Sequence, residues 1–514
     1  MNNSKIVKKN EFNILRQKFW NTKQAVVLCH GVFDLLHYGH IEHLQEAKQQ
    51  GDILVVSVTA SKYVNKGPGR PYFSDQQRMA FLASLEIVDY VLLSEAVTVH
   101  EIVACVQPDI YVKGQEYALE KNDITGNIAA EQSIVEKYGG KIYFTQGEVH
   151  SSTKLLNNFF NALPDRVVRE SQTLHEKYGI KLMNTIRNIV DGFSNLKVLV
   201  IGDIIIDDYI FCKVQGVTSK DNVISTRYDV KERYAGGALA IARHLANFSD
   251  QVEMLSMIGK ERDIQKYVNS VMGKVKCQFI ETDKYVTPVK TRFLKRHSQR
   301  QEYDKLFSMN RILEDTQIKN IDYQPFYEAL EKNIGKYDLV VVCDYGHGLL
   351  NHRSIEIIEK RAKFLAVNCQ TNSSNYGLNI ITKYHRVNMF VVDERELRLA
   401  LSDSLSDIEL LLDRLMALLN ADQSWATVGA EGAYGRSKEE CVKLSAVTLH
   451  VKDTVGAGDA FYALAALAAA SNAPIEIGTL VSNIAGAMKT NMVGNSKSVE
   501  KVDLLKFIST ILNV

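Results

Sequence analysis

VVLCHGVFDLLHYGHIEHLQEAK, residues 26–48, sets an apolar, β-branched run directly before a Gly- and His-rich turn and a segment of helical period. A strand apolar on both faces, followed at once by a helix, is the first half of a β-α-β unit. The same alternation runs almost from end to end. Early strands are expected at 25–29, 52–58, 89–93, 109–113 and 141–145. A second strand series starts afresh with KVLVIGD (197–203) and continues through DLVVVCD (338–344) and FLAVN (364–368). The expected fold class is therefore α/β, with two doubly wound parallel-sheet domains. Residues 1–165 should form the first domain, the charged stretch 166–194 a helical linker, and 195–514 the second domain. NVISTRYDVKERYAGG (222–237) reads as antiparallel strands of a small lid.

Composition narrows the function classes. The 514 residues are 46% hydrophobic and 24% charged, which fits a folded protein of two or three domains. Lys plus Arg is 61 against 60 for Asp plus Glu, so no overall positive field would draw the chain to a polyanion or an acidic membrane surface. Nucleic acid and membrane partners are not expected. Seven cysteines, none spaced C-x-x-C, suit neither a disulfide framework nor a thiolate metal site, so a cytoplasmic location is expected. The first twenty residues lack a signal-peptide core, and the longest apolar run, FYALAALAAA from Phe461, is about half a membrane span.

Four of the thirteen histidines fall between positions 30 and 43. His37 and His40 are three apart on a first helical turn and share a face, where the helix N-terminus favours anions. A lone histidine there would read as a capping or packing residue. The string H-x-G-H after G-x-F-D reads instead as a phosphate site, with His30 and His43 as packing or surface residues. GVFDLLHYGH resembles the signature of the cytidylyltransferase-like nucleotidyltransferases. The similarity extends over roughly 22–160 to GPGRPYFSDQQRM with Arg70 and Arg78, PDIYVKGQEY with Lys113, and HSSTKLL with Ser151, Ser152 and Thr153. Within that family the VKG and PYFSDQQR strings are most similar to the nucleotidyltransferase half of the ADP-heptose synthases. The resemblance implies catalytic roles for His37, His40 and Lys113, and nucleotide or phosphate contacts from Gly31, Phe33, Asp34, Arg78 and Ser151–Thr153. A sugar 1-phosphate is already ionised near neutrality, since the second pKa of a phosphate monoester is about 6. Attack on the α-phosphate of a nucleoside triphosphate then needs positioning and charge neutralisation rather than a strong base.

The second chemical string is VKDTVGAGDAFYALAALAAA (451–470). Small residues at Gly456, Ala457 and Gly458 let backbone N–H groups approach a phosphate at the start of a long helix, with Asp459 just inside it. A Gly-rich turn before a helix is common, and alone it decides nothing. DTVGAGDAF, however, resembles the signature of the ribokinase-type (PfkB) sugar kinases, and the similarity spans 197–499. It implies Asp459 as the base that takes the sugar hydroxyl's proton, with Asp453, Thr454, Gly456, Ala457 and Gly458 around the phosphates. Thr427, Gly429 and Gly432 of TVGAEG would lie on the nucleotide side. Asp203, Asp207, Gly236, Gly237, Arg292 and Asp344 of CDYGHG would lie on the sugar side. Glu396 would be linked indirectly to Mg²⁺. The pattern departs from the family at Ala240, where Asn is usual, at Asp393 in the N-x-x-E string, and at NCQTNSSNYGLN (368–379), which replaces a D-P-K turn.

Together the two resemblances imply a bifunctional enzyme of nucleotide-sugar synthesis that uses ATP, Mg²⁺ and sugar phosphates, with domain order inverted relative to the ADP-heptose synthases. A separate phosphatase is expected in the pathway, because no D-x-D-x-T string is present, and a homo-oligomer is expected. Alternatives are another sugar, CTP in place of ATP as nucleotidyl donor, or one half decayed into a binding module.

Overall fold

The computed structural model describes residues 3–64, 71–96, 98–115, 128–146, 163–296, 303–372, 375–447 and 451–513. They fall into two compact units, Met1–Ser171 with Leu505–Val514, and Gln172–Leu504. The stretch expected as a linker forms two helices, Asp165–Tyr178 and Leu182–Gly192.

The first unit is built on β1 (Val26–Gly31), β2 (Ile53–Thr59), β3 (Tyr90–Ser94), β4 (Ile110–Lys113) and β5 (Lys141–Phe144). They form one sheet in the order β3-β2-β1-β4-β5, every pair parallel. Side chains along β1 alternate between two cores. Val27 and Cys29 pack with Leu44, Ala47 and Leu82 from the helices Tyr38–Lys48 and Asp75–Ala83. Val26 and Leu28 pack with Phe12, Phe19 and Ile102 from the helices Lys9–Asn21 and His100–Val106. Both faces are therefore dry, and each fully buried Val or Leu contributes about 1.5–3 kcal/mol. β1 sends one crossover toward β2 and lies beside β4 on its other edge, so the chain reverses direction across the sheet between β1 and β4. In open α/β sheets, ligands bind beyond the strand C-termini at such a point.

The second unit contains β6 (Lys197–Gly202), β7 (Ile204–Val217), β8 (Ile224–Gly237), β9 (Gln251–Ile258), β10 (Lys276–Glu281), β11 (Val289–Arg296), β12 (Tyr303–Arg311), β13 (Leu339–Asp344), β14 (Leu365–Cys369), β15 (Met389–Asp393), β16 (Gln423–Thr427), β17 (Ala433–Ser437) and β18 (Cys441–Leu444). Nine strands make the main sheet in the order β10-β9-β6-β13-β14-β15-β16-β17-β18, parallel up to β16 and antiparallel beyond it. Here the reversal lies between β6 and β13, whose C-terminal ends deliver Asp203 and Asp344. The lid is larger than the small antiparallel one expected at 222–237. It is a separate four-stranded sheet, β12-β11-β7-β8, in which β11 joins β7 in parallel from about eighty residues away.

Candidate active sites

In the first unit the chain leaves β1 through Gly31 and turns at Phe33, whose φ of +48° is unusual for a bulky residue. A Cβ on Gly31 would stand 3.1 Å from the Phe33 ring. Asp34, buried, accepts from the backbone N–H groups of Tyr72 (2.9 Å) and Phe73 (3.0 Å). This ties the G-x-F-D turn to the PYFSDQQR segment. His37 is the N-cap of the helix Tyr38–Lys48 and His40 its third residue, with ring centroids 4.0 Å apart. The two imidazoles therefore meet as their spacing suggested. Across the sheet reversal, Lys113 closes β4, and its ammonium is paired with Glu131 at 2.7 Å in a mostly buried contact. Glu131 carried no sequence signal, because it reaches Lys113 from a helix in another part of the chain. His30 accepts or donates to Ser57 at 3.1 Å, and burial, reinforced by the Lys113 charge, pushes its pKa down to about 3. His43 meets Thr145 at 3.1 Å. Both are packing residues, as expected. Arg70, Ser151, Ser152 and Thr153 lie outside the described residues.

Arg78 requires a correction. Expected to contact phosphate, it is fully buried and bonds the carbonyls of Val32 (2.6 Å), Thr59 (2.9 Å) and Phe73 (3.1 Å), the Ser61 hydroxyl and the Asp75 carboxylate. It pins the G-x-F-D turn to the β2 exit instead of facing a ligand. Arg78→Ala should therefore destabilise the first unit by on the order of 3 kcal/mol, since it strands several buried acceptors at once. Hydrogen-exchange protection in β1 and β2 measures this. Unchanged protection would return Arg78 to the ligand side.

In the second unit, Gly456 caps the helix Ala457–Ala470 with φ +84°, and Asp459 is the third helical residue. A Cβ on Gly456 would strike Asn495 at 2.1 Å, whereas one on Gly458 would meet nothing within 4 Å. The turn is thus packed behind and open in front. Its open side borders a cavity of about 1070 Å³ lined by Thr427, Gly429, Gly432, Thr454, Ala457, Gly458 and Glu396. Gly432, at φ +111°, leaves no room for a side chain, because a Cβ would sit 2.0 Å from the Leu444 carbonyl oxygen. Asp459 is partly buried and accepts the Tyr345 hydroxyl at 3.0 Å. Burial raises its pKa to about 6.

Several expected sugar contacts are engaged within the protein. Asp344, buried, takes the Lys383 ammonium at 2.6 Å and the Tyr384 hydroxyl at 2.7 Å, with Asn379 also bonded, so it is a structural anchor rather than an open contact. Asp203 accepts the N–H groups of Tyr345 (3.0 Å) and His347 (3.4 Å), and burial with Asp344 nearby raises its pKa to about 6. Asp453 holds the Tyr209 hydroxyl and the N–H groups of Val455 and Gly494, so it shapes the glycine turn from beneath. Gly236 and Gly237 make room for the Asp207 side chain and the Asp203 main chain. Their Cβ atoms would lie 2.2 Å from Asp207 Oδ2 and 2.7 Å from the Asp203 carbonyl oxygen. Asp207 on β7 and Arg292 on β11 form an ion pair within the lid sheet.

Sequence reasoning missed Lys290 and Lys489. Lys290 lies two residues before Arg292 on β11, opposite Asp207 in register, and feels the charges of Asp207, Asp203 and Asp459. The i, i+2 spacing of two cations on one strand was the available signal. Lys489 is fully buried and donates to the Gly494 carbonyl, with its Cε 3.1 Å from a Gly456 Cβ position. Burial lowers its pKa to about 8.

For magnesium, Glu396 accepts the N–H groups of Thr371 (3.1 Å) and Asp393 (3.0 Å), and burial with Asp393 alongside lifts its pKa to about 8. Among the described residues no group of three His, Cys, Asp or Glu side chains could hold a metal. The acid pair at the cavity wall fits an indirect hold through water on an ion carried by the nucleotide.

The family model for pfkB carbohydrate kinases matches residues 195–501, more than half of the sequence. The chain belongs to the pfkB family of carbohydrate kinases. Its first part, residues 28–158, matches the cytidylyltransferase-like model. This pfkB protein therefore joins a sugar-kinase domain to a nucleotidyltransferase-class domain. It is similar to bifunctional protein HldE of Aliarcobacter butzleri, 38% identical over 142 residues that cover 27% of this chain and 29% of the relative. It is also similar to HldE of Pseudomonas fluorescens, 39% identical over 142 residues, 26% and 28% of the two chains. The pfkB chain thus spans less than a third of the length of these curated relatives. Escherichia coli phosphofructokinase-2 aligns over 61% of this chain and 99% of its own, with 14% identity and a TM-score of 0.48. Among the described residues no helix is long and apolar enough to cross a membrane.

Proposed function

We propose that the protein is bifunctional. Its second unit phosphorylates a sugar or sugar phosphate with ATP, and its first transfers a nucleotidyl group from a nucleoside triphosphate to a sugar 1-phosphate, as in ADP-heptose synthesis. The observation that carries this reading is the carboxylate of Asp459 beside a helix-capping glycine turn whose open side borders a nucleotide-sized cavity.

In the kinase reaction Asp459 takes the proton of the sugar hydroxyl as its oxygen bonds to the γ-phosphorus and the bond to ADP breaks. The backbone N–H of Gly458, and that of Ala457 on exchange of its 3.3 Å bond to the Thr454 carbonyl, stabilise the transferring group at the positive end of the helix. Lys290 and Arg292 set two cations on the sugar side, which favours an acceptor that already carries phosphate. Magnesium, when bound, supplies further neutralisation of the triphosphate, with Glu396 and Asp393 placed to hold its water ligands. In the first unit His37, His40 and Lys113 neutralise the α-phosphate while a sugar 1-phosphate oxygen displaces pyrophosphate. Lys113 must then exchange part of its pairing with Glu131 for phosphate.

A panel of sugar phosphates with ATP and CTP tests the proposal, reading ADP production and pyrophosphate release separately. CTP belongs in it because the first unit matches a cytidylyltransferase-like model. ADP without pyrophosphate, or the reverse, would leave one half as a binding module. The pH dependence of the kinase reaction is a further expected result. Asp459 works ionised and its pKa is raised to about 6, so kcat should be level above pH 7 and fall as pH drops through about 6. A profile flat down to pH 4.5 would exclude it as the base.

A further inference from the structure

The three polar atoms of Tyr345 are all held. Its N–H donates to Asp203 Oδ2 at 3.0 Å, its carbonyl accepts from Asn372 Nδ2 at 2.8 Å and Asn375 Nδ2 at 2.9 Å, and its hydroxyl donates to Asp459 Oδ1 at 3.0 Å. Tyr345 is 5% exposed, with the Lys290 ammonium 5.9 Å from its ring centroid. The two asparagines are themselves fixed, since Asn375 Oδ1 accepts the Asn372 N–H at 2.8 Å. Both lie in the segment 368–379, where this chain departs from the family's D-P-K turn.

We infer that Tyr345 is a positioning residue for phosphoryl transfer: the Asn372–Asn375 pair clamps its main chain so that its hydroxyl holds one oxygen of Asp459 and keeps that carboxylate ionised and aimed. The inference rests on the kinase reading. A hydrogen bond to the charged form of an acid stabilises that form, and here it opposes the burial that favours the neutral one. The other groups facing Asp459 are Lys290 on β11 and Lys489, whose charges also favour ionisation, and Asp207 on β7, which opposes it. The Cys343 thiol on β13 lies within the same field. Tyr345 is the hydrogen-bond donor among them and the one tied to the asparagine loop. With Oδ1 occupied by the phenol, the second carboxylate oxygen receives the proton of the attacking alcohol.

The test compares Tyr345→Phe, the double variant Asn372→Ala/Asn375→Ala, and their combination in the full chain. Tyr345→Phe should move the acid limb of kcat to higher pH, so that the rate falls about tenfold more at pH 6 than at pH 8.5. KM for ATP should stay unchanged in Tyr345→Phe, because Tyr345 does not line the nucleotide cavity. The asparagine pair should reproduce that shift while Tyr345 is present and add nothing to Tyr345→Phe. An acid limb that does not move, or an asparagine effect of equal size in both backgrounds, overturns the inference. Titration of Asp459 by NMR of carboxyl-labelled aspartate, assigned with Asp459→Asn, gives a readout independent of turnover. If no sugar yields ADP yet Tyr345→Phe still raises the Asp459 titration, the kinase reading fails and the coupling stands. If an active enzyme shows no change in that titration, the coupling fails and the kinase reading stands. Should Tyr345→Phe not fold, the asparagine pair carries both measurements alone.

Discussion

Asp459→Asn should lower ATP-dependent sugar phosphorylation by about 10²- to 10⁴-fold while the protein stays folded. The amide is isosteric and can still accept the Tyr345 hydroxyl, so the local geometry survives. The turn depends on Gly456 against Asn495 and on Asp453 beneath it, neither of which the change touches. What the amide cannot do is take a proton from an alcohol. Were Asp459 only an acidic residue favoured by the helix dipole, the change would cost about 0.3–1 kcal/mol of stability and leave the rate nearly intact. Measuring kcat and Tm on the same variant separates these outcomes, with pyrophosphate release by the first unit as an internal control. A stable variant with near-normal kcat would remove the base and the main argument for phosphoryl transfer in this unit.

His37→Ala and His40→Ala should each reduce pyrophosphate release by about 10²- to 10³-fold, the usual effect of losing one donor aimed at a developing phosphoryl charge. ADP production should be unaffected. The two rings stand 4.0 Å apart at the N-terminus of one helix, so their loss also disturbs a cap worth about 1 kcal/mol. His40→Asn, which keeps a polar group at the third helical position, distinguishes the contributions. If it restores full activity, the ring is a cap and not a phosphate ligand. If either alanine variant abolishes ADP production in folded protein, the two chemistries are not separate.

Much of this was legible because it is local. The β1 run showed no polar alternation, and its residues pack in turn into two different cores, which is what a doubly covered parallel strand requires. The GAGD string likewise announced a turn and a helix within one stretch. Roles set by distant partners could not be read. Arg78 looked like a phosphate ligand until its partners at Val32 and Thr59 were placed, 46 and 19 positions away. Asp344 looked open until Lys383 and Tyr384 arrived from beyond β14. Lys290 gains its setting only because β11 pairs with β7 in a register that sets it opposite Asp207. The lid was underread for the same reason: a hairpin is a local signal, while a parallel pairing between strands eighty residues apart is not.

The turn that carries Asp459 is completed by residues well downstream of it. Asp453 takes the N–H of Gly494, 41 positions later, Lys489 takes the carbonyl of the same residue, and Asn495 fills the space behind Gly456. A gene fragment stopping short of Lys489 would therefore still encode every string by which this kinase fold is recognised, yet its product would lack the floor of the glycine turn before Asp459. Counting kinases in fragmentary sequence by their signature alone would include such inert products. A census that also required the buried lysine and the Gly-Asn pair after it would not.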